Sequence, residues 1–104
     1  YRAAFANYEL DAFIFPTTPL PARSFSETEE LVLNGRTVPT FPTYVRNTAP
    51  ATIAGLPGLT VPIGLTSEGL PVGIALDGPP FSDRKLLAIG LSIEALVTRL
   101  PPPD

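Results

Sequence analysis

Cysteine, histidine, methionine and tryptophan are all absent from the 104-residue sequence. Without cysteine there is no disulfide framework and no thiolate nucleophile, and without histidine the most common activating base is missing. A serine–lysine system needs a lysine, and the sequence holds one, Lys85. It falls on the polar side of a predicted helix, where a solvated lysine is the ordinary interpretation. No serine has a Gly-x-Ser-x-Gly context. The residues therefore predict no self-contained active site.

Charge is also sparse: charged residues make up 16% of the chain, and the net charge is -3. The arginines are scattered rather than aligned, which argues against nucleic acid as a partner. No apolar run reaches the ~18 residues of a membrane span, and the first residues do not form a signal peptide. Together with the missing cysteine, these features predict a cytoplasmic chain that binds neither nucleic acid nor membrane.

Acidic side chains cluster only at Glu27, Glu29 and Glu30, without the alternation of a calcium loop. We interpret them as a solvated acidic loop and predict no metal site.

The chain is rich in apolar residues and proline, at 44% hydrophobic residues and 14 prolines. So many prolines exclude a helical bundle, whereas the apolar content is too high for a disordered chain. A surplus of apolar side chains predicts a surface that meets another part of a protein. The start at Tyr1, with no methionine, favours a processed chain or an excised piece of a larger fold.

The first half of the chain predicts three elements. Aromatic residues at helical spacing in 1–10 predict the end of a helix. The apolar run 11–16 predicts a strand buried on both faces, stopped by Pro16. In 31–39, Asn34-Gly35 between two apolar runs predicts a β-hairpin with a type I′ turn.

The second half predicts a short helix, two strands and a long helix. Asn47 or Thr48 is expected to cap the short helix, which Gly55 ends. Strands 58–65 and 70–78 follow, as a second hairpin or with a crossover between them. The stripe of apolar residues in 82–100 predicts an amphipathic helix that ends before Pro101. This order predicts an α/β fold with a mixed β-sheet, flanking helices and one clear β-hairpin.

The stretch AGLPGLTVPIG, residues 54–64, has the spacing of a phosphate loop but the wrong direction. Phosphate loops lead from a strand into a helix, whose N-terminal amides face the anion. Here a helix leads into a strand, and no basic residue lies between Thr48 and Glu68. We therefore interpret the stretch as a helix stop followed by a strand.

Four segments together resemble the C-terminal part of the amidase signature enzymes. They are DAFIFPTTP (11–19), AGLPGLTVPIG (54–64), EGLPVGIALDGP (68–79) and DRKLLAIGLSIE (83–94). They occur in the family's order, and the resemblance covers essentially the whole chain as one segment, 1–104. Residues 34–50 most resemble the indoleacetamide and mandelamide hydrolase branch.

The resemblance implies hydrolysis of amide C–N bonds by a Ser-Ser-Lys triad, without metal or organic cofactor. The triad belongs to a Gly/Ser-rich segment in the N-terminal half of the family's enzymes, and no residue here matches it. The chain alone is therefore expected to be inactive. Amidotransferase members carry an acidic residue just before the short helix, but Tyr44 to Asn47 contains none. The resemblance thus favours a small, uncharged, aryl-type amide as substrate of the full enzyme.

Four residues are the candidates for substrate binding. The resemblance places Thr17 and Thr18 after a strand end, where open α/β sheets bind ligands, and Asn47 and Thr48 at the start of the helix that approaches the cleft. Ordinary turn and cap chemistry explains all four equally well.

Two hypotheses follow. In the first, the chain is the C-terminal portion of an amidase, and its apolar surface meets the N-terminal part. In the second, it is a free-standing, non-catalytic binding or assembly module derived from that fold, whose apolar faces are buried between copies.

Overall fold

The structure, a computed structural model, describes residues 1–26 and 29–100. Glu27 of the acidic loop and the proline-rich tail 101–104, expected to fray, lie outside these residues. The described elements are α1 (Arg2–Tyr8), β1 (Phe13–Pro16), β2 (Glu30–Leu33), β3 (Arg36–Pro39), α2 (Thr40–Val45), α3 (Ala49–Ala54), β4 (Gly58–Leu65), β5 (Pro71–Asp77) and α4 (Asp83–Glu94).

The main sheet has three strands in the order β1-β5-β4. β5 is central and runs antiparallel to both neighbours, so β1 and β4 point the same way on either side of it. Within the described ranges, every strand pair is antiparallel. Helices packed against such a sheet agree with the predicted α/β class.

β4 and β5 form a hairpin, which decides between the two connections left open by the sequence. Thr66 and Leu70 close the turn through a backbone hydrogen bond of 2.8 Å, and Gly69 has a φ of 81°. The register shifts between Pro62 and Gly64. Proline has no N–H for the ladder, and a bulge accommodates that loss.

β2 and β3 form the second, two-stranded sheet, as the sequence predicts. Asn34 and Gly35 have φ angles of 51° and 75°. Two successive positive φ angles are what a type I′ turn requires, so the prediction from Asn-Gly is confirmed.

The core lies between α4 and one face of the main sheet. Val61, Leu76 and Leu86 are its buried members, and Ile89 and Ile93 pack against them. A Cβ at Gly90 would lie 2.3 Å from the Leu59 side chain, so the missing side chain lets α4 approach β4 closely.

Two expectations about the elements are wrong, and one helix was missed. α4 ends at Glu94 rather than before Pro101, and α2 was not predicted at all. The strand at 13–16 is covered on one face only, because Ile14 remains 61% exposed while its neighbours are partly buried. α4 reaches across β4 and β5 but leaves the outer part of β1 uncovered.

Candidate functional site

A groove of about 540 Å³ opens where β1 ends and the β4–β5 hairpin turns. One wall is the loop that follows β1, and the other is the end of the hairpin. Its walls are mainly proline and aliphatic side chains, with hydroxyl groups from Thr17, Thr18, Tyr44 and Thr60. In the part of the chain that the structure describes, no lysine, arginine, aspartate or glutamate lines this groove. The groove therefore suits an uncharged, partly apolar ligand.

Thr17 continues the sheet by one residue beyond β1. Its N–H donates to the carbonyl of Gly73 at 3.1 Å, and its hydroxyl lies 3.5 Å from that of Thr60. A Cβ at Gly73 would lie 3.0 Å from Thr60 Cγ2 and 3.3 Å from Thr17 Oγ1. The glycine thus lets the two threonines approach each other at the floor of the groove.

Thr18 and Tyr44 fix the shape of the wall. The Thr18 hydroxyl donates to the carbonyl of Leu20 at 2.6 Å, which is a local turn bond. The Tyr44 hydroxyl donates to the carbonyl of Pro21 at 2.7 Å and so ties α2 to the same loop. Both hydroxyl protons are directed at backbone carbonyls, and lone pairs remain for a ligand.

Asn47 binds the backbone of β1 rather than capping α3. Its side-chain N–H donates to the carbonyl of Pro16 at 2.8 Å. It lines a separate cavity of about 440 Å³ beside Tyr1 and Phe13. The bond places Asn47 next to the residue that leads into Thr17.

Thr48 occupies the N-cap position of α3, but its side chain does not supply the expected cap bond. Its hydroxyl donates weakly, at 3.4 Å, to the carbonyl of Val45, which precedes the helix in the sequence. The prediction that Asn47 or Thr48 caps this helix with its side chain is therefore wrong. The prediction for its end is correct, since Gly55 has a φ of 68° and its N–H bonds back to Ala51 and Thr52.

The four predicted residues are thus divided among three neighbouring cavities. Thr17 and Thr18 share the large groove, and Asn47 is linked to it through Pro16. Thr48 faces a third cavity, of about 280 Å³, beneath α3.

Sequence reasoning missed Thr60, which lines both the large groove and the cavity beneath α3. It sits between Leu59 and Val61, the two β4 residues that contact the core. Side chains alternate across a strand, so Thr60 faces the opposite side, towards the cavities. That alternation was the available signal.

Asp77 is the second missed residue. It ends β5, is 4% exposed, and its Oδ2 makes no hydrogen bond to any of residues 1–26 and 29–100. Burial raises the pKa of this carboxyl. Burial also raises the pKa of the nearby Tyr1 hydroxyl, and the charge of Asp77 raises it further. An acidic residue at a strand end gave no sign of burial in the sequence.

Among the described residues, no three His, Cys, Asp or Glu side chains lie close enough to share a metal ion. The helices described for residues 1–26 and 29–100 include none long and apolar enough to cross a membrane.

Comparisons with known proteins agree on one family. The family model described as Amidase matches residues 1–87. An indoleacetamide hydrolase of Agrobacterium vitis is 47% identical over all of this chain, which corresponds to 22% of that protein. A mandelamide hydrolase of Pseudomonas putida is 40% identical over 99% of this chain and 19% of its own length. The predicted resemblance to these two kinds of hydrolase is confirmed.

A solved structure shares the fold. A crystal structure of an amidase superposes with a TM-score of 0.78 at 31% identity, covering 94% of this chain and 25% of the other. The chain therefore spans about a fifth of the length of the two curated relatives and a quarter of that solved chain.

Proposed function

Because the chain belongs to the amidase family, we propose that residues 1–104 form one segment, the C-terminal part of an amide hydrolase. The full enzyme would hydrolyse the C–N bond of a small, uncharged, aryl-type amide. The observation that carries this proposal is the match of the whole chain to a fraction of an indoleacetamide hydrolase. The groove supports the substrate class, because its described walls are apolar with scattered hydroxyl groups.

In this proposal the catalytic Ser-Ser-Lys residues belong to a part of the enzyme outside these residues. Lys85 is a poor substitute, because it forms a surface ion pair with Asp11 in which both side chains are more than half exposed. A lysine that acts as a catalytic base is held away from solvent beside its nucleophile, whereas Lys85 lies in a solvated ion pair. The isolated chain would therefore bind ligand without hydrolysing it.

We assign Thr17 and Thr18 to direct contact with substrate, and Asn47 and Thr48 to the adjoining walls. The hydroxyl groups of Thr17 and Thr18 lie in the groove itself. Asn47 holds the end of β1 through Pro16, so it would position Thr17 as well as line the neighbouring cavity.

An assay of the purified chain tests the missing chemistry. Release of ammonia from indole-3-acetamide and from a benzylic amide should stay at the level of buffer. The same chain fused to the preceding reading frame should hydrolyse at least one of them. Turnover by the isolated chain comparable to that of a full-length relative would refute the proposal. A preceding frame without a Gly/Ser-rich segment carrying a Ser-Ser-Lys pattern would also refute it.

The second candidate, a free-standing assembly module, is favoured by the outer face of α4. Leu87 and Leu91 are 57% and 67% exposed. Exposed apolar patches of this kind usually contact a partner. That surface would contact either the N-terminal part of the enzyme or a second copy. Size-exclusion chromatography with light scattering distinguishes the two, because the module predicts a stable oligomer of the isolated chain. A cooperatively folding monomer would exclude obligate self-association.

A further inference from the structure

The cavity beneath α3 lies against the face of the sheet that α4 does not cover. It measures about 280 Å³ and is bounded by α3 above and by β4 and β5 below. Along β5, Ala75 and Asp77 alternate with core residue Leu76, so both project to this second face. The cavity is thus separate from the core, and among the described residues Thr60 alone lines both it and the large groove.

Asp77 is the most unusual group in this cavity. Phe13 lies opposite it on β1 and Gly58 opposite it on β4. A Cβ at Gly58 would approach the carboxyl oxygen Oδ1 to 3.3 Å, so the neighbouring strand leaves room beside the carboxyl. The other oxygen, Oδ2, is buried without a hydrogen bond to the described residues. Folded proteins pair nearly all such atoms, so this oxygen is available to accept a hydrogen bond from a water or a ligand.

The hydroxyl groups of Thr48 and Thr52 are also acceptors in this cavity, whereas that of Thr60 accepts from Thr17 and keeps its own proton to donate. The Thr52 hydroxyl donates to the carbonyl of Thr48 at 3.0 Å, and the Thr48 hydroxyl donates to Val45. Each hydroxyl has one proton, so towards the cavity both present lone pairs. Among the residues that the structure describes, no lysine or arginine lines the cavity. Asp77 and the hydroxyl groups of Thr48 and Thr52 therefore favour a group that brings hydrogen-bond donors.

We propose that this cavity binds a neutral N–H or O–H donor group of a small uncharged amide, with the Asp77 carboxyl as its main acceptor. The class of ligand rests on the proposed function. To that function the inference adds a binding site and one residue, Asp77. The volume of the cavity is just below the ~300 Å³ at which cavities begin to hold drug-sized molecules, so the cavity suits a small group.

A neutral donor fits better than a cation. Ala51, Leu56 and Ala75 make much of the cavity wall apolar. Moving an ammonium group from water into such surroundings carries a desolvation penalty that one carboxyl does not fully offset. Burial also raises the pKa of Asp77, because surroundings poor in water disfavour any charged group, including a bound cation.

Binding to the 104-residue chain, labelled with ¹⁵N, tests the site directly. Indole-3-acetamide is the probe. The control is its analogue with one methyl group on the indole nitrogen and two on the amide nitrogen, so that no N–H is left. We expect the probe to shift the amide resonances of Thr60, Ala75 and Asp77. We expect the analogue to bind at least about tenfold more weakly, because it lacks the donors that Asp77 requires. Indole-3-acetate should be excluded by its charge.

Variants assign the effect to the carboxyl. Asp77→Leu keeps the branched shape and the number of side-chain heavy atoms but removes both acceptors, and should weaken binding of indole-3-acetamide about tenfold or more. Asp77→Asn keeps one carbonyl acceptor and should weaken it less. Glu68→Gln, in the exposed β4–β5 turn, removes a carboxylate away from the cavity and should change nothing. Circular dichroism checks that each variant folds.

Several results would overturn the inference: no shifts around the cavity, equal affinity for the methylated analogue, or unchanged affinity in Asp77→Leu. If Asp77→Leu does not fold, the analogue comparison and Asp77→Asn decide the question. The proposed function fails separately. Binding at the cavity without hydrolysis by the fused, longer protein removes the hydrolase assignment alone. Hydrolysis by that protein with unchanged binding in Asp77→Leu removes the cavity site alone.

Discussion

The side-chain amide of Asn47 donates a 2.8 Å hydrogen bond to the carbonyl of Pro16. The bond joins the junction of α2 and α3 to the last residue of β1, across 31 positions of sequence. It fixes the point from which Thr17 enters the groove. An asparagine that looks like a helix cap in the sequence thus acts as a tertiary clamp.

Replacing Asn47 should loosen this clamp. In Asn47→Ala the carbonyl of Pro16 loses its donor, and we expect the free energy of unfolding to fall by about 1 kcal/mol. Urea denaturation followed by circular dichroism measures the change. Asn7→Ala, on exposed α1, is the control and should not destabilise the chain. Equal stability of the wild type and Asn47→Ala would mean that the bond contributes nothing.

A side chain at position 73 should disturb the floor of the groove. In Gly73→Ala the new Cβ would lie 3.0 Å from Thr60 Cγ2 and 3.2 Å from the Val61 carbonyl oxygen, so both neighbours must move away slightly. We expect a loss of about 1–3 kcal/mol in stability. Gly64→Ala is the matched control, because nothing in the described structure lies within 4 Å of a Cβ there. Similar losses in both variants would show that the close approach at Gly73 is unimportant.

The buried carboxyl of Asp77 should make stability depend on pH. Its folded-state pKa is raised above the ordinary value of 3.8, so the folded state holds this proton more tightly than the unfolded state. The contribution of this group is fully present below that value and is lost as pH rises through the raised pKa. Asp77→Asn has no such proton and should lose this part of the pH dependence.

The measurement for Asp77 is urea denaturation at a series of pH values from 3 upwards. The difference in stability between Asp77→Asn and the wild type should move in favour of the variant as pH increases. Asp83→Asn, an exposed carboxyl at the start of α4, is the control. A difference between Asp77→Asn and wild type that stays constant over the range would contradict a raised pKa.

The two sides of α4 should respond differently to truncation. Leu86 is 3% exposed in the core and its neighbour Leu87 is 57% exposed. Leu86→Ala leaves a cavity and should cost about 2–5 kcal/mol. Leu87→Ala should change the stability of the isolated chain by no more than about 0.5 kcal/mol. A large loss in Leu87→Ala, measured at protein concentrations where the chain is monomeric, would show that the outer face is already packed.

Sequence patterns predicted those elements whose signals are local. Asn34-Gly35 specified its turn because few other residues accept two positive φ angles. Gly55 was predicted to end α3 because glycine readily accepts the positive φ angle of a helix end. α2 was missed because Pro42 and the neighbouring threonines are poor helix formers. Its helix is instead held by tertiary and side-chain bonds, from Tyr44 to Pro21 and from Thr43 to Pro39.

The site was predictable to a similar extent. Thr17 and Thr18 were candidates because the resemblance places them beyond a strand end, where open α/β sheets bind ligands, and both line the groove. Their contact with substrate stays a prediction. Asp77 was missed because burial of a carboxyl depends on the strands beside it. Its surroundings come from Phe13 and Gly58, which are distant from it in sequence, and no local pattern reports them.

The strand order has a consequence for how the chain folds. β4, β5 and α4 are consecutive in sequence, so they can associate through short loops. Pairing of β1 with β5 joins Phe13 to Asp77 and must close a loop of roughly 60 residues, which costs more chain entropy. Contacts between distant residues form later on average. β1 should therefore join a preformed β4–β5–α4 unit, and its amides should exchange with solvent before those of β5.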